Sequence, residues 1–233
     1  MWSLSAAETE ALLLSLKVAF WSVAASLPFA IALAWLLSRR TFPGKGLLDA
    51  VVHLPLVLPP VVVGYFLLIL FGRRGPIGAF LYEFLGVSFA FRWTGAALAC
   101  AVMGFPLMVR AVRQSLDAVD RRLEAAAATL GASPAWVFAS VTLPLILPGI
   151  LTGMLLSFAR SLGEFGATIT FVSNIPGETQ TLPLAIYTFT QVPGGDAQAL
   201  RLCLLSVALS LGALLASEAL VRRATARAAG ADA

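Results

Sequence analysis

Five long apolar stretches limit what this chain can fold into more than any other feature. They lie at about residues 11–38, 48–72, 93–113, 147–172 and 199–221. A helix needs about 20 apolar residues to cross the hydrocarbon core of a bilayer, and each stretch reaches that length. Backbone groups left unpaired in lipid are costly, so such stretches must be helical. The sequence therefore predicts an all-α polytopic membrane protein with five spans and a single transmembrane domain over residues 1–233.

Two weaker apolar segments lie at about residues 76–91 and 181–192. Together they contain Gly, Pro and polar residues, which predicts interfacial or re-entrant segments, and a sixth span only if one of them crosses the membrane. Composition agrees with a membrane location, because 59% of the 233 residues are hydrophobic and the mean hydropathy is +0.90. A soluble domain is not that apolar.

The positive charges predict the orientation, because Lys and Arg near span ends stay on the cytoplasmic side. With the N-terminus outside, ten of them fall in inner segments: Arg39, Arg40, Lys45, Arg110, Arg113, Arg121, Arg122, Arg222, Arg223 and Arg227. Four fall in outer segments: Arg73, Arg74, Arg92 and Arg201. Ten against four favours an outer N-terminus and a cytoplasmic C-terminus. The net charge of +4 largely follows from this topology and does not identify an anionic partner or a nucleic acid.

The connection at about residues 114–146 carries the most specific local pattern. Four apolar residues recur at helical spacing and predict one stripe of a short helix: Val119, Leu123, Ala126 and Leu130. Gly131 favours a left-handed helix end, Ser133 an N-cap, and Pro134 the first position of the next helix. We name residues 119–144 the elbow.

The elbow also carries two aromatic residues, Trp136 and Phe138. An apolar stripe and aromatic side chains standing in water between membrane spans predict contact with a partner protein. The alternative is an ordinary interfacial helix whose apolar side rests on lipid or on the chain's own spans.

The second apolar stretch contains Pro55, Pro59 and Pro60. Each proline removes a backbone donor and clashes with the preceding turn, so the helix is expected to bend or open here. One interpretation is a packing kink. The other is that freed amides face a pathway, where they bind an anion without a formal positive charge.

The fourth apolar stretch holds an unusual set of polar residues. Arg160 and Glu164 are four apart, so we expect them to stack on one face of a helix and pair. Charged groups in a span are costly unless they face protein or water. They form either a structural pair or part of a gate. The candidate pathway or gate residues are Pro59, Pro60, Ser157, Arg160, Ser161, Glu164 and Thr168.

The sequence lacks the residues that several enzyme classes need. Gly44-Lys45-Gly46 lacks the remaining features of a phosphate-binding loop, so the chain is not expected to hydrolyse ATP alone. Cys100 and Cys203 have no partner at metal or redox spacing and are interpreted as packing residues. His53, the single histidine, is interpreted as structural. No catalytic residue or metal site is predicted.

The elbow resembles the cytoplasmic EAA loop of permease subunits of binding-protein-dependent ABC importers. The family's glycine corresponds to Gly131. Nine residues separate it from Val141, and one more residue separates Val141 from Leu143-Pro144, which is the family's spacing. Upstream, Ala126 and Ala127 occupy the two alanine positions, whereas Ala125 occupies the glutamate position. Glu124 comes one residue earlier, a rotation of about 100° on a helix. The resemblance implies an ATPase-coupling surface made of Leu123, Glu124, Ala125, Ala126, Ala127, Gly131, Ser133, Pro134, Trp136, Phe138, Leu143 and Pro144.

Other runs are similar to the molybdate-type permeases of the same family. They are residues 54–65, 71–78, 161–169 and 175–187, so the likeness extends over nearly the whole chain. The Gly163-Glu164-Phe165-Gly166-Ala167-Thr168 run is typical of the molybdate type. Sulfate and thiosulfate permeases are close relatives and remain an alternative. An ion-coupled secondary oxyanion transporter is a further alternative. Inverted repeats and additional carboxylates within the membrane would favour it.

The resemblance also implies partners and a location. It implies a homodimer in a bacterial or archaeal cytoplasmic membrane, two cytoplasmic ATPase subunits on the EAA loops, and a periplasmic or surface-tethered molybdate-binding protein. ATP and Mg would bind to the ATPases, and this chain would bind no cofactor.

Overall fold

The structure is a computed structural model that describes residues 4–230. Over these residues the chain forms helices and no strand. The helices are α1 (Ala6–Arg39), α2 (Lys45–Val57), α3 (Pro60–Phe71), α4 (Pro76–Leu85), α5 (Trp93–Ala118), α6 (Arg121–Thr129), α7 (Pro134–Val137), α8 (Leu143–Leu162), α9 (Gly166–Val172), α10 (Leu182–Gln191) and α11 (Asp196–Gly230), with a π-helical turn, Phe138–Thr142, between α7 and α8. The all-α prediction is confirmed.

Within residues 4–230, four helices are long and apolar enough to cross a membrane: α1, α5, the continuous helix Pro134–Leu162 and the segment Asp196–Ala216 of α11. The second apolar stretch forms α2 and α3, which meet at an angle of 114°. The count is five if this bent pair is one span, and four if it is a re-entrant loop. The two weaker segments form α4 and α10, of ten residues each.

The core of the bundle is formed where α1, α5 and α8 pack together. Its buried side chains include Leu37 on α1, Leu116 on α5 and Ile146 on α8, all fully buried. Small residues bring α5 and α8 close together. A Cβ added to Gly153 would lie 3.1 Å from the Met108 carbonyl oxygen, and one added to Gly104 would lie 2.3 Å from Ser157 Oγ. Such close approach is how membrane helices gain van der Waals contact.

Ion pairs and hydrogen bonds join the helix ends at both ends of the bundle. At one end, Ser38 Oγ donates to Asp117 Oδ1 over 2.5 Å, which joins the last turns of α1 and α5. At the other end, Arg201 Nε donates to Glu8 Oε1 over 3.0 Å, which joins the first turns of α11 and α1. The elbow lies at the first of these two ends, because it follows α5 directly. We name this the elbow end.

Two expectations about local structure were wrong. The apolar stretch 147–172 is not one helix, because α8 ends at Leu162 and α9 begins at Gly166. Glycines on either side of Glu164 favour this break, since glycine weakens a helix interior. Val119 does not extend the apolar stripe of the elbow helix, because Asp120 caps that helix and Val119 packs against the core between α1, α5 and α8.

Candidate functional site

The elbow is a helix, a glycine turn and a second helix. Asp120 caps α6 by accepting a hydrogen bond from the Arg122 amide over 2.9 Å. Gly131 follows with a φ of +85°, in the left-handed region. Ser133 Oγ accepts a hydrogen bond from the Trp136 amide over 3.3 Å, and Pro134 is the first residue of α7. The conformations predicted for Gly131, Ser133 and Pro134 are confirmed.

The outer surface of the elbow is apolar and exposed. Leu130 is 89% exposed and Trp136 63% exposed. These two side chains line a shallow cavity of about 480 Å³ together with Ala127, Gly131, Ala132 and Ser133. Leu123, Ala125, Ala126 and Pro144 are also exposed, whereas Phe138 and Leu143 are half-buried. Most of the predicted coupling residues therefore lie on a surface that the chain itself leaves uncovered.

Glu124 differs from its neighbours because its carboxylate points back toward the bundle. Glu124 Oε1 accepts hydrogen bonds from Arg39 Nη2 over 2.9 Å and from Thr142 Oγ1 over 2.8 Å. The Arg39 side chain is only 9% exposed. This carboxylate therefore ties α6 both to the end of α1 and to the π-helical turn that precedes α8. Ala125, at the glutamate position of the EAA pattern, is exposed.

The second group of predicted residues surrounds the break between α8 and α9. Glu164 is 2% exposed. Its Oε2 lies 2.6 Å from Arg160 Nη1, and its Oε1 accepts a hydrogen bond from the Ala167 amide over 2.8 Å. The predicted Arg160–Glu164 pair is confirmed, although the two residues do not share one helix. The carboxylate both neutralises the arginine and satisfies an amide in the first turn of α9.

Hydroxyl groups connect this break to α1. Ser161 Oγ lies 3.0 Å from Ser22 Oγ and donates to the Ser157 carbonyl over 2.8 Å. Thr168 Oγ1 donates to the Phe165 carbonyl over 2.9 Å. Ser22, Ser157, Ser161 and Thr168 are all buried. These four residues therefore act inside the protein, and sequence reasoning did not single out Ser22 because its partner is 139 residues away.

The two interrupted helices meet each other. Pro59 caps α3 and Pro60 is its first residue. A Cβ added to Gly166 would lie 2.8 Å from Pro60 Cβ, and one added to Gly64 would lie 2.5 Å from the Ala167 carbonyl oxygen. The α3 helix therefore packs so closely against α9 that neither Gly64 nor Gly166 has room for a Cβ. The proline break and the glycine break, which are far apart in sequence, form one contact.

Replacing Gly64 with alanine is expected to separate α3 from α9 and to destabilise the protein by about 1–3 kcal/mol. The new methyl group would meet backbone atoms of Ala167, which cannot move without shifting the whole of α9. The thermal midpoint of the purified subunit should fall. Gly212→Ala on α11 is the matched control, because its Cβ would have no neighbour within 4 Å. A thermal midpoint of Gly64→Ala equal to that of the native chain would contradict the predicted destabilisation.

Two bacterial transport permeases are similar to this chain over most of its length. A molybdenum transport system permease protein, ModB, from Escherichia coli K12 is 64% identical over 215 residues, which cover 92% of this chain and 94% of that protein. A sulfate transport system permease protein, CysT, from Salmonella typhimurium is more distant, at 41% identity over 163 residues, or 70% of this chain and 58% of that protein.

Solved structures share the fold. A bacterial ABC transporter that imports the acidic polysaccharide alginate matches with a TM-score of 0.73 at 17% identity, covering 94% of this chain and 80% of that chain. At this identity the likeness shows the fold alone. The family model described as binding-protein-dependent transport system inner membrane component matches residues 26–226, most of the chain. This chain is a multi-pass inner membrane protein that belongs to the family of binding-protein-dependent transport system inner membrane components.

Proposed function

We propose that this chain is the permease subunit of an ATP-driven importer that carries molybdate across the cytoplasmic membrane. The observation that carries the proposal is the identity with the E. coli molybdenum permease over nearly the whole length of both proteins. The chain is the permease component and not itself an ATPase. The energy for transport comes from a partner that binds ATP and Mg.

The complex contains two copies of this chain, two ATPase subunits and a binding protein that delivers molybdate on the outer side. The exposed Leu130 and Trp136 support an ATPase contact at the elbow, because a soluble partner would cover this apolar surface. The second copy would cover part of the apolar surface of α2 and α3, where Val57 is 81% exposed and Tyr65 56% exposed.

The elbow end faces the cytoplasm in this proposal, with the N-terminus outside. The fold supports this orientation because several of the positive charges assigned to inner segments lie at the elbow end of the bundle. Arg39 binds Glu124 and Arg113 binds Asp49, while Arg121 Nη2 donates to the Ser38 carbonyl. The retention of Lys and Arg on the inner side then places the ATPases against the elbow.

Movement of the elbow reaches the interrupted helices through α8. Glu124 fixes the elbow to α1 through Arg39 and to the start of α8 through Thr142. The α8 helix has 20 residues and is about 30 Å long, so it extends from the elbow to the Arg160–Glu164 pair. Beyond the break, α9 contacts α3 at Gly64. ATP binding and hydrolysis would shift these helices between an outward and an inward state, for which ATP and substrate have different affinities.

The pairing of Arg160 with Glu164 suits transport of a dianion. An unpaired guanidinium in a pathway would hold molybdate tightly, whereas a transporter must also release it. The carboxylate 2.6 Å away removes the net charge. Pro59, Pro60, Ser157, Ser161 and Thr168 complete the proposed pathway or gate region.

Uptake in vesicles that contain the whole complex tests the proposal. Labelled molybdate should accumulate only with ATP, and unlabelled tungstate should compete strongly because it has nearly the same size and charge. An equal excess of sulfate should compete weakly. Equal competition by sulfate would indicate a sulfate permease, and ATP-independent uptake driven by an ion gradient would indicate a secondary transporter. Either result would refute the proposal.

A further inference from the structure

A polar cavity lies at the elbow end of the bundle, between α2 and α5. Its volume is about 500 Å³ and its lining residues are Asp49, His53, Arg110, Arg113, Gln114 and Asp117. The cavity belongs neither to the apolar surface of the elbow nor to the contact between α3 and α9.

The two carboxylates of the cavity already have partners. Arg113 Nη1 donates to Asp49 Oδ2 over 3.0 Å, and Arg113 Nε lies 3.8 Å from Asp117 Oδ2. Ser38 Oγ donates to the other oxygen of Asp117. His53 Nδ1 lies 2.8 Å from the Asp49 carbonyl oxygen and 3.3 Å from Asp49 Oδ1. Arg113 and Ser38 therefore engage one oxygen of Asp49 and both oxygens of Asp117, whereas the buried Asp49 Oδ1 has no hydrogen-bond partner, so the cavity presents one unpaired carboxylate oxygen and not a pair.

The donors that remain lie on α5. Within the part of the chain that the structure describes, Arg110 has no ion pair or hydrogen bond, and neither does the side-chain amide of Gln114. These residues are four apart on α5, so they share one face. His53 Nδ1 faces the Asp49 carbonyl oxygen and therefore carries the hydrogen, so Nε2 of the neutral ring is an acceptor and not a further donor.

We propose that this cavity binds one tetrahedral oxyanion group, with Arg110 as its principal contact and with Gln114 as a further donor. A guanidinium offers paired N–H groups that match two oxygens of such an anion. The cavity has room for the anion together with several waters, since one water occupies about 30 Å³. The group is either molybdate released on the cytoplasmic side or the phosphate of a lipid headgroup. The cytoplasmic placement and the molybdate source rest on the proposed function.

Binding to the permease–ATPase complex without its binding protein tests this inference. The complex is placed in nanodiscs of phosphatidylcholine alone, or with added phosphatidylglycerol. Equilibrium dialysis measures labelled molybdate in the first preparation, and native mass spectrometry measures retained phosphatidylglycerol in the second. Arg110→Gln should weaken the binding of one of these two groups at least about tenfold. Arg74→Gln, which removes an exposed arginine outside the cavity, should leave both unchanged.

The two preparations distinguish the sources. Loss of molybdate binding in Arg110→Gln assigns the cavity to the free anion, and loss of phosphatidylglycerol alone assigns it to a lipid phosphate. Equal binding by Arg110→Gln and the native complex in both preparations would overturn the inference. Uptake by the native complex is measured separately. If that uptake fails while Arg110-dependent binding remains, the transport proposal is refuted. The proposed oxyanion site is then still supported.

Discussion

Replacing Gly131 with valine is expected to abolish ATP-dependent uptake while the subunit stays in the membrane. The φ of +85° at this position costs a β-branched residue at least about 1–2 kcal/mol. No atom lies within 4 Å of a Cβ built on Gly131, so this cost comes from the backbone conformation and not from a clash. The turn would open and change the angle between α6 and α7. The cavity between Leu130 and Trp136 would then no longer fit the ATPase.

Two variants separate this effect from general strain. Asparagine tolerates the left-handed region, so Gly131→Asn should keep most of the uptake. Gly86→Val has a comparable φ of +66° and open space around its Cβ, but it lies at the end of α4, outside the elbow. It should transport normally. Copurification of the ATPase reports docking directly, and a Gly131→Val complex that retains both its ATPase and its uptake would disprove the coupling role of the turn.

Replacing Glu164 with alanine is expected to destabilise the subunit by about 1–3 kcal/mol, because it leaves the partly buried Arg160, whose side chain is 28% exposed, without its partner. The same change removes the acceptor of the Ala167 amide, which adds a capping cost of about 1 kcal/mol. The amount of folded subunit in the membrane and its thermal midpoint should both fall sharply. Uptake should fall with them.

A double-mutant cycle assigns the effect to the ion pair. Glu164→Gln keeps an oxygen for the Ala167 amide and removes only the charge, so its loss of stability should be smaller than that of alanine. Adding Arg160→Gln to Glu164→Gln should recover part of this loss, because no unpaired charge then remains. A thermal midpoint for Glu164→Gln equal to that of the native protein would show that the pair contributes no stability.

Local signals in the sequence were sufficient to predict much of the structure of the elbow. Gly131, Ser133 and Pro134 each act through their own backbone or the next few residues, so their conformations follow from residue type alone. The proline break at Pro59 was also predictable, because proline has no backbone N–H to donate to the preceding turn and its ring clashes with that turn. The five apolar stretches similarly located α1, α5, α8 and α11.

Long-range partners were not predictable from one sequence. Glu124 appeared to be displaced from a coupling position, whereas it binds Arg39, 85 residues away. The break after Leu162 went unnoticed because Arg160 and Glu164 have the spacing of a continuous helix. The crossing at Gly64 depends on where α9 lies, and nothing local to Gly64 specifies a neighbour. In each case the deciding contact comes from a distant part of the chain.

The α2 helix has no fully buried residue of its own and is held to the bundle by the Asp49–Arg113 pair and by Leu48 and Val52, which pack half-buried against the core between α1, α5 and α8. Its exposed apolar side chains depend on surrounding lipid or on a neighbouring molecule for cover. Detergents that replace the bilayer with a small micelle will release this helix before they melt the α1, α5 and α8 core. Preparations that appear well folded by helix content can thus lack this segment's native placement, which makes lipid-like environments the appropriate choice for purification.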